Sequence, residues 1–377
     1  MRIFPAILFS LFSLVAVATS VQAGPRPFKV RPYASFTIDG WSLLEGGGGT
    51  GQRSFGLIDL GADYILTERV EGRIGGFLYT GDRDIDNFAG DFGVYSNIIT
   101  DTRYNIFTAW LQHSFTDSYI RIGQLASDEN FYVSEGGSLF LNSNFGALPS
   151  VSANLSAPLF SVGAAGAEYQ HQLANGYFQI GVYAGDPGPG YLDDHGFKWK
   201  AGGEAGYFYI AERGWQFYGN SHLETQLKIG AYFHSGSFES FTSGSYSKGN
   251  SALYAVIDQS LSESVSLFAR IGINPESEYS VIDRYFDIGF NWQGVIGSRP
   301  EDTFGIAYSH SHFGEEFRKA TAIAENRSVT SEQVVEITYQ SALIHGWQAQ
   351  PSFQYIINPF YATKDVVVAG IRLSVDY

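Results

Sequence analysis

The chain has 377 residues, no cysteine, 44 glycines, 30 phenylalanines and 24 tyrosines, with a formal net charge of −15. Without thiols there is no disulfide framework and no thiolate metal or redox site. The acidic balance speaks against nucleic acid, whose phosphates need clustered Lys and Arg, and mildly against strongly anionic solutes unless the charge sits in loops.

Met1-Arg2, an apolar run from Ile3 to about Ala18 and Val21-Gln22-Ala23 form a positive start, a hydrophobic region and a small-residue cleavage site. This predicts a signal peptide over 1–23, cut after Ala23. The run is too short, and Pro5 too disruptive, for a spanning helix. After Gly24 no apolar stretch reaches helix-spanning length, so the mature chain (24–377) is expected to be exported without a transmembrane helix. Aromatics nevertheless make up 16% of residues, with a mean hydropathy of only −0.07. That pairing suits strands with one face toward lipid and the other toward water, ringed by aromatic girdles.

Alternation of apolar and polar residues predicts about sixteen strands. They lie near 28–39, 52–64, 69–80, 105–115, 118–125, 161–172, 177–185, 202–211, 223–234, 251–259, 264–273, 283–292, 303–312, 335–343, 347–355 and 367–377. Long connections at 41–51, 81–103, 127–160, 186–200, 235–249 and 313–331 alternate with short turns at 116–117, 173–175 and 345–346. The turns at 212–221 and 293–300 fit this pattern least. An even number of alternating strands with short turns on one side describes an antiparallel transmembrane β-barrel. The last strand is expected to seal against the first, because an open sheet edge does not survive in lipid.

The longest connection, Ser127–Phe160, has no useful alternation and carries acids, amides, hydroxyls and five aromatics. A structureless run of this length inside an ordered domain is usually functional. It is expected to fold back into the lumen as a constriction loop of a water-filled barrel.

Strand parity turns Arg31, Tyr33, Asp39, Glu71, Arg73, Arg121 and Arg372 inward, with Asp128, Glu129 and Glu135 on the loop opposite. A basic arc facing an acidic loop would set up a transverse field that orients polar solutes. The same arginines also read as structural, paired with Glu71, Asp59 and Asp376 inside the barrel. Other inward groups are Thr338, Gln340, Gln348, Gln350, Ser352 and Gln354, with Tyr177, Tyr183 and Trp110 as ring faces, a mixture suited to neutral, hydroxyl-rich solutes.

Gly46–Gly49 lacks a following Gly-Lys-Ser/Thr and is a flexible loop. No HExxH or GxSxG occurs. Asp82, Asp84 and Asp86 have calcium-loop spacing, but Gly93 stands where the bidentate Glu belongs. His310 and His312 share a strand face without a third ligand nearby. No cofactor is expected, and an enzyme or a poorly conducting adhesin is the reading from another class.

The segments AWLQHSFTDSYIRIGQLASDENF (109–131), LFLNSNFGALP (139–149), GAEYQHQLANGYFQIGVYAGDPG (166–188), GIAYSHSH (305–312) and VVEITYQSALIHGWQAQPSFQYIINP (334–359) resemble the OprB-type carbohydrate-selective porins. The resemblance implies a sixteen-stranded barrel passing glucose and related sugars across the outer membrane of a Gram-negative bacterium. Its constriction would be rich in arginine with an acidic partner. Arg121, Asn142 and Asn144 fall inside matching motifs, whereas Arg31, Arg73, Arg372 and Glu135 rest on parity. The partners expected are small neutral sugars, outer-membrane lipid and lipopolysaccharide, with a homotrimer as candidate assembly. A general or organic-acid porin is the alternative.

Overall fold

The computed structural model describes residues 28–49, 51–81, 88–101, 104–188, 195–219, 223–325 and 327–377. The expected leader and the Asp82–Asp86 spacing lie outside them. Sixteen strands follow in order: β1 (Lys29–Glu45), β2 (Gln52–Ile65), β3 (Val70–Gly81), β4 (Tyr104–Ser114), β5 (Ser118–Leu125), β6 (Ala164–Leu173), β7 (Gly176–Ala184) and β8 (Tyr207–Tyr218). The second half comprises β9 (Glu224–Glu239), β10 (Tyr246–Ser260), β11 (Val265–Ile273), β12 (Ile282–Gln293), β13 (Thr303–Phe313), β14 (Ser331–Ala342), β15 (Gln348–Ile357) and β16 (Val366–Asp376). Every strand pairs antiparallel with its sequence neighbours, and β1 pairs with β16 to close the barrel.

The alternation that marked these strands is the alternation of their two faces. One row is exposed and apolar: Ile38, Ile74, Ile122, Leu253, Ile288 and Ile371. The other is buried and polar: Asp39, Glu212, Asp287, Glu336 and Gln354. Among the described residues no helix is long and apolar enough to cross a membrane.

Several segments depart from the sequence expectation. Residues 212–218, expected in a turn, continue β8, where buried Glu212 faces Gln179 across the β7 pairing. The β9–β10 hairpin carries paired strand out to Glu239 and Tyr246, through Ser- and Gly-rich sequence with no apolar row to betray it. The 313–331 connection contains a helix, α2 (Glu315–Glu325), which rests Phe317 on Phe313 and Phe360 at 5.8 and 5.3 Å between ring centroids.

Two connections meet the buried polar row. Residues 127–160, including the short helix α1 (Pro149–Ser152), bond to side chains of β8 through β15. Residues 88–101 were expected in an external loop and are mostly buried instead. Gly93 N donates to Glu332, Ser96 Oγ to Asp39, and Tyr95 O accepts from Gln354. The two segments bond to each other through Asn97 N to Leu141 O (2.7 Å) and Ser143 N to Val94 O (2.9 Å). Around them lie two aromatic-rich cores, one with Phe131, Tyr132, Tyr183, Phe208 and Tyr254, the other with Trp41, Phe88, Tyr95, Phe140 and Phe268. Each ring removed from water contributes roughly 1.5–3 kcal/mol.

Candidate functional site

The strand registers build two lateral rows of inward side chains. In the first, Arg31 faces Asp63, Asp63 faces Arg73, and Arg73 faces Trp110. In the second, two residues along each strand, Glu71 faces Gln112, Gln112 faces Arg121, and Arg121 faces Glu168. Adjacent side chains on one face of a sheet sit within contact distance, so this register alone brings three arginines and three carboxylates onto β1–β6.

The guanidinium groups of Arg73 and Arg121 are each held from two directions. Arg73 donates from Nε and Nη2 to the two oxygens of Asp63, at 2.7 and 3.2 Å. Its guanidinium carbon lies 5.3 Å from the Tyr33 ring centroid and 5.9 Å from that of Trp110. Arg121 donates to Gln112 Oε1 at 3.1 and 2.9 Å and lies 3.6 Å from Glu168. It stacks on Trp110 at 4.2 Å and on Tyr119 at 5.3 Å. The result is an alternating stack, Tyr33–Arg73–Trp110–Arg121–Tyr119. A planar cation between ring faces gains about 0.5–2 kcal/mol per contact and loses its freedom to swing.

The loop brings an acid to this wall. Ser127 fixes its neck, with N and Oγ both donating to Pro158 O at 2.7 and 2.9 Å. The turn Ser127–Glu129 follows directly, Asp128 accepts from Phe160 N at 2.9 Å, and Asn130 donates to Glu168 at 2.8 Å. Glu129 is thereby aimed into a cavity of about 500 Å³ that it lines with Arg31, Asp63, Glu71, Arg73, Trp110, Arg121 and Asn130. Its side chain is exposed to the cavity but hemmed in by the surrounding wall. That desolvation, with Asp128 adding to it, pushes its carboxyl up to about 7. Burial likewise raises Asp128, to about 6. Three arginines against three carboxylates leave the lining near neutral when all are charged.

The sequence-predicted residues therefore separate. Arg31, Arg73, Arg121 and Trp110 come together. Arg372 does not join them: it faces Asp39 in the register, eight positions along β1 from Arg31 and about 26 Å by strand rise. There it binds Asp39 at 2.7 and 2.8 Å and Asn97 at 2.8 Å, beneath the 88–101 segment. Glu135 lies across the loop beside Gln226 of β9, at 3.3 Å, and so is no partner of the arginines. Asn142 and Asn144 are buried and bond to Gln354 and Ser309. They hold the loop and do not face water. Arg73 pairs with Asp63, where parity alone had suggested Asp59, because the register places Asp63 directly opposite.

Parity placed the amide rows correctly but not their partners. Gln350 donates to Leu139 O and Gln354 to Tyr95 O, so both bind backbone of the two long connections. Tyr177 and Tyr183 donate to Glu212 and Glu168. Sequence reasoning missed the strand acids that grip these connecting segments. Glu336 accepts from Leu141 N and Asn142 N, Glu332 from Phe92 N, Gly93 N and Phe360 N, Glu212 from Tyr132 N, and Asp258 from Gly136 N. Buried Arg270 pairs with Asp287 at 2.6 Å and donates to the carbonyls of Asn144 and Gly146. The signal was present, since acids on the inward parity of an alternating strand need buried donors. Much of the net acidity is thus spent on wall-to-loop bonds, and the whole-chain charge says little about the pore.

The chain matches the carbohydrate-selective porin, OprB family over residues 67–377. It belongs to that family. This OprB-family chain is 23% identical to Porin B of Pseudomonas aeruginosa over 235 residues, and spans about half (51%) of that relative's length. It is similar in structure to the high-pH form of Pseudomonas putida OprB, with a TM-score of 0.83, 16% identity, and coverage of 92% of this chain and 94% of that one. The outer membrane channel DcaP of Acinetobacter baumannii is similar at a TM-score of 0.58 and 12% identity, over 94% of this chain and all (100%) of that one. Family and fold place the chain in the outer membrane of a Gram-negative bacterium, as a porin barrel.

Proposed function

We propose that the chain passes neutral sugars passively into the periplasm, with residues 127–160 as the constriction and the Arg31–Arg73–Arg121–Glu129 cavity as the place where solute is held. The observation that carries this reading is the charge-balanced lining around Trp110. Fixed guanidinium edges and carboxylates can replace the water around sugar hydroxyls, and the Trp110 face offers an apolar surface to the C–H side of a pyranose. A lining of one sign would favour an ion instead.

The outward apolar rows contact lipid, with lipopolysaccharide around the outer loops, and a homotrimer is the assembly we propose. Liposome swelling with glucose, a neutral disaccharide and a carboxylate of similar size tests the solute preference. Faster entry of the sugars supports it; rates ordered by size alone defeat it in favour of a general or organic-acid pore. Cross-linking in native membranes tests the trimer, and a monomer band alone rejects it.

A further inference from the structure

The two histidines that share a strand face, His310 and His312, do not line the cavity. They stand on the outward parity of β13 with Ile306 and Tyr308, and the register sets Arg284 of β12 directly beside His312. From Arg284 on, the outward row of β12 is apolar: Phe286, Ile288, Phe290 and Trp292. Arg284 and Trp292 are eight positions apart, about 26 Å by strand rise, on the scale of the roughly 25 Å band a barrel presents to lipid. Arg284 and His312 mark the open end of the β12–β13 hairpin, beside the long 314–330 connection. Long connections of such barrels are external, so this is the outer boundary of the band.

The backbone is shaped to hold the group there. Pairing runs from Ile282–Phe313 to Arg284–His312, which leaves Asp283 as an extra residue on β12. A bulge of this kind re-aims a side chain. The Asp283 carboxylate accepts from His312 Nδ1 at 2.6 Å and lies 3.5 Å from Arg284 Nε. Arg284 Nη2 is 3.2 and 3.1 Å from Nδ1 and Nε2 of His312, equally near both, as in a guanidinium lying on an imidazole. His310 stacks on Phe286 at 5.3 Å between centroids. Asp283 and His312 are 16% and 17% exposed, whereas the Arg284 side chain is 62% exposed. The acid and the ring therefore form a socket from which the guanidinium presents its remaining N–H groups outward. Arg213 of β8 is also outward, but it is spent on its own wall, donating to Tyr177 O, Gly214 O and Asn175 Oδ1.

We propose that Arg284, with His312 and His310 beside it, docks a phosphate on the saccharide headgroup of lipopolysaccharide, whose acyl chains lie down the exposed Phe286, Ile288 and Ile306 strip. A guanidinium fork matches phosphate oxygens in pairs. A soluble anion would leave the apolar strip uncovered, and bare hydrocarbon would leave the charge without a partner. The external side of the boundary makes an outer-leaflet lipid the occupant. The inference rests on the lipid contact read above for the outward rows, and is independent of what the pore passes.

The test uses the full-length protein folded in detergent, with bound lipid counted by native mass spectrometry. A chelator is present, so that no divalent cation bridges the contact. The probes are bisphosphorylated lipid A, the same lipid stripped of its phosphates, and phosphatidylglycerol. The wild type should hold bisphosphorylated lipid A about tenfold more tightly than the stripped form, the scale of one hydrogen bond to a charged group. Arg284→Gln should erase that preference, Arg284→Lys should keep only part of it, and Arg213→Gln should leave it whole. An unchanged preference in Arg284→Gln overturns the proposal, as does equal binding of the two lipid A forms by the wild type. An equal loss in Arg213→Gln, or tighter binding of phosphatidylglycerol than of lipid A, overturns it too. Should Arg284→Gln fail to fold, Arg284→Lys decides, since an undiminished preference there is equally fatal. Failure of the wild type to hold any of the three lipids would instead defeat the lipid-contact reading, a separate and recognisable result.

Discussion

The Glu336 carboxylate accepts the backbone amides of Leu141 and Asn142, each at 2.9 Å, from residues 195 and 194 positions away in sequence. A strand side chain thus holds the 127–160 segment by its main chain, independent of that segment's own side chains. Glu336→Leu leaves both buried N–H groups without an acceptor, at roughly 1–3 kcal/mol each. We expect a lower unfolding temperature and a larger, noisier single-channel conductance. A quiet wild-type conductance in this variant would show that the segment is held without Glu336.

Arg121→Lys keeps the charge but removes the planar fork between Trp110 and Tyr119. Lysine cannot stack on both rings while donating to Gln112. Sugar block should weaken by about tenfold, the loss of a contact of roughly 1–2 kcal/mol, with little change in ion selectivity. Arg121→Ala should weaken block as much and also shift selectivity toward cations, as read from reversal potentials in a salt gradient.

Glu129, with its carboxyl pushed up to about 7, is charged above neutrality and neutral below it. Above pH 7 the cavity carries three positive and three negative groups. Below it, one negative charge is lost and the balance turns positive. Anion preference should therefore rise as pH falls through neutrality, most of the change falling within about one unit either side of the midpoint. Glu129→Gln should fix the low-pH selectivity at every pH in that range. The same shift persisting in Glu129→Gln would assign it to another group.

Arg372 offers a control. It binds Asp39 and Asn97 at 2.7–2.8 Å, away from the cavity. Arg372→Ala strands a buried Asp39 carboxylate, with the several-kcal/mol cost of breaking a buried pair, about 3–5 kcal/mol. Heat stability should fall sharply while the glucose block constant moves by less than about twofold.

The strands were legible because period-two alternation is a direct imprint of one face on lipid and one inside. It placed Arg31, Arg73 and Arg121 inward and fixed the closing strand. Which acid meets which arginine was not legible, since Asp59 and Asp63 share a parity and the pairing register alone chooses between them. The 88–101 segment escaped for the opposite reason: it has no period, and its burial depends on Glu332, Asp39 and Gln354, more than two hundred residues away in two of the three cases. Asn142 and Asn144 drew notice for their motif, yet their amides are taken by the wall. A polar residue on a long connecting segment does not by itself touch solute.

The Arg31–Arg73–Arg121–Glu129 cavity is set against β1 to β5, whereas the core of Tyr183, Phe208, Tyr254 and Tyr285 packs against β7 to β12, so conduction and much of the mechanical strength are assigned to different flanks of one cylinder. The packed flank can absorb a tag, an altered girdle or a lengthened outer hairpin such as β9–β10 while the duct keeps its bore. A single substitution on the opposite flank retunes what passes without loosening the scaffold.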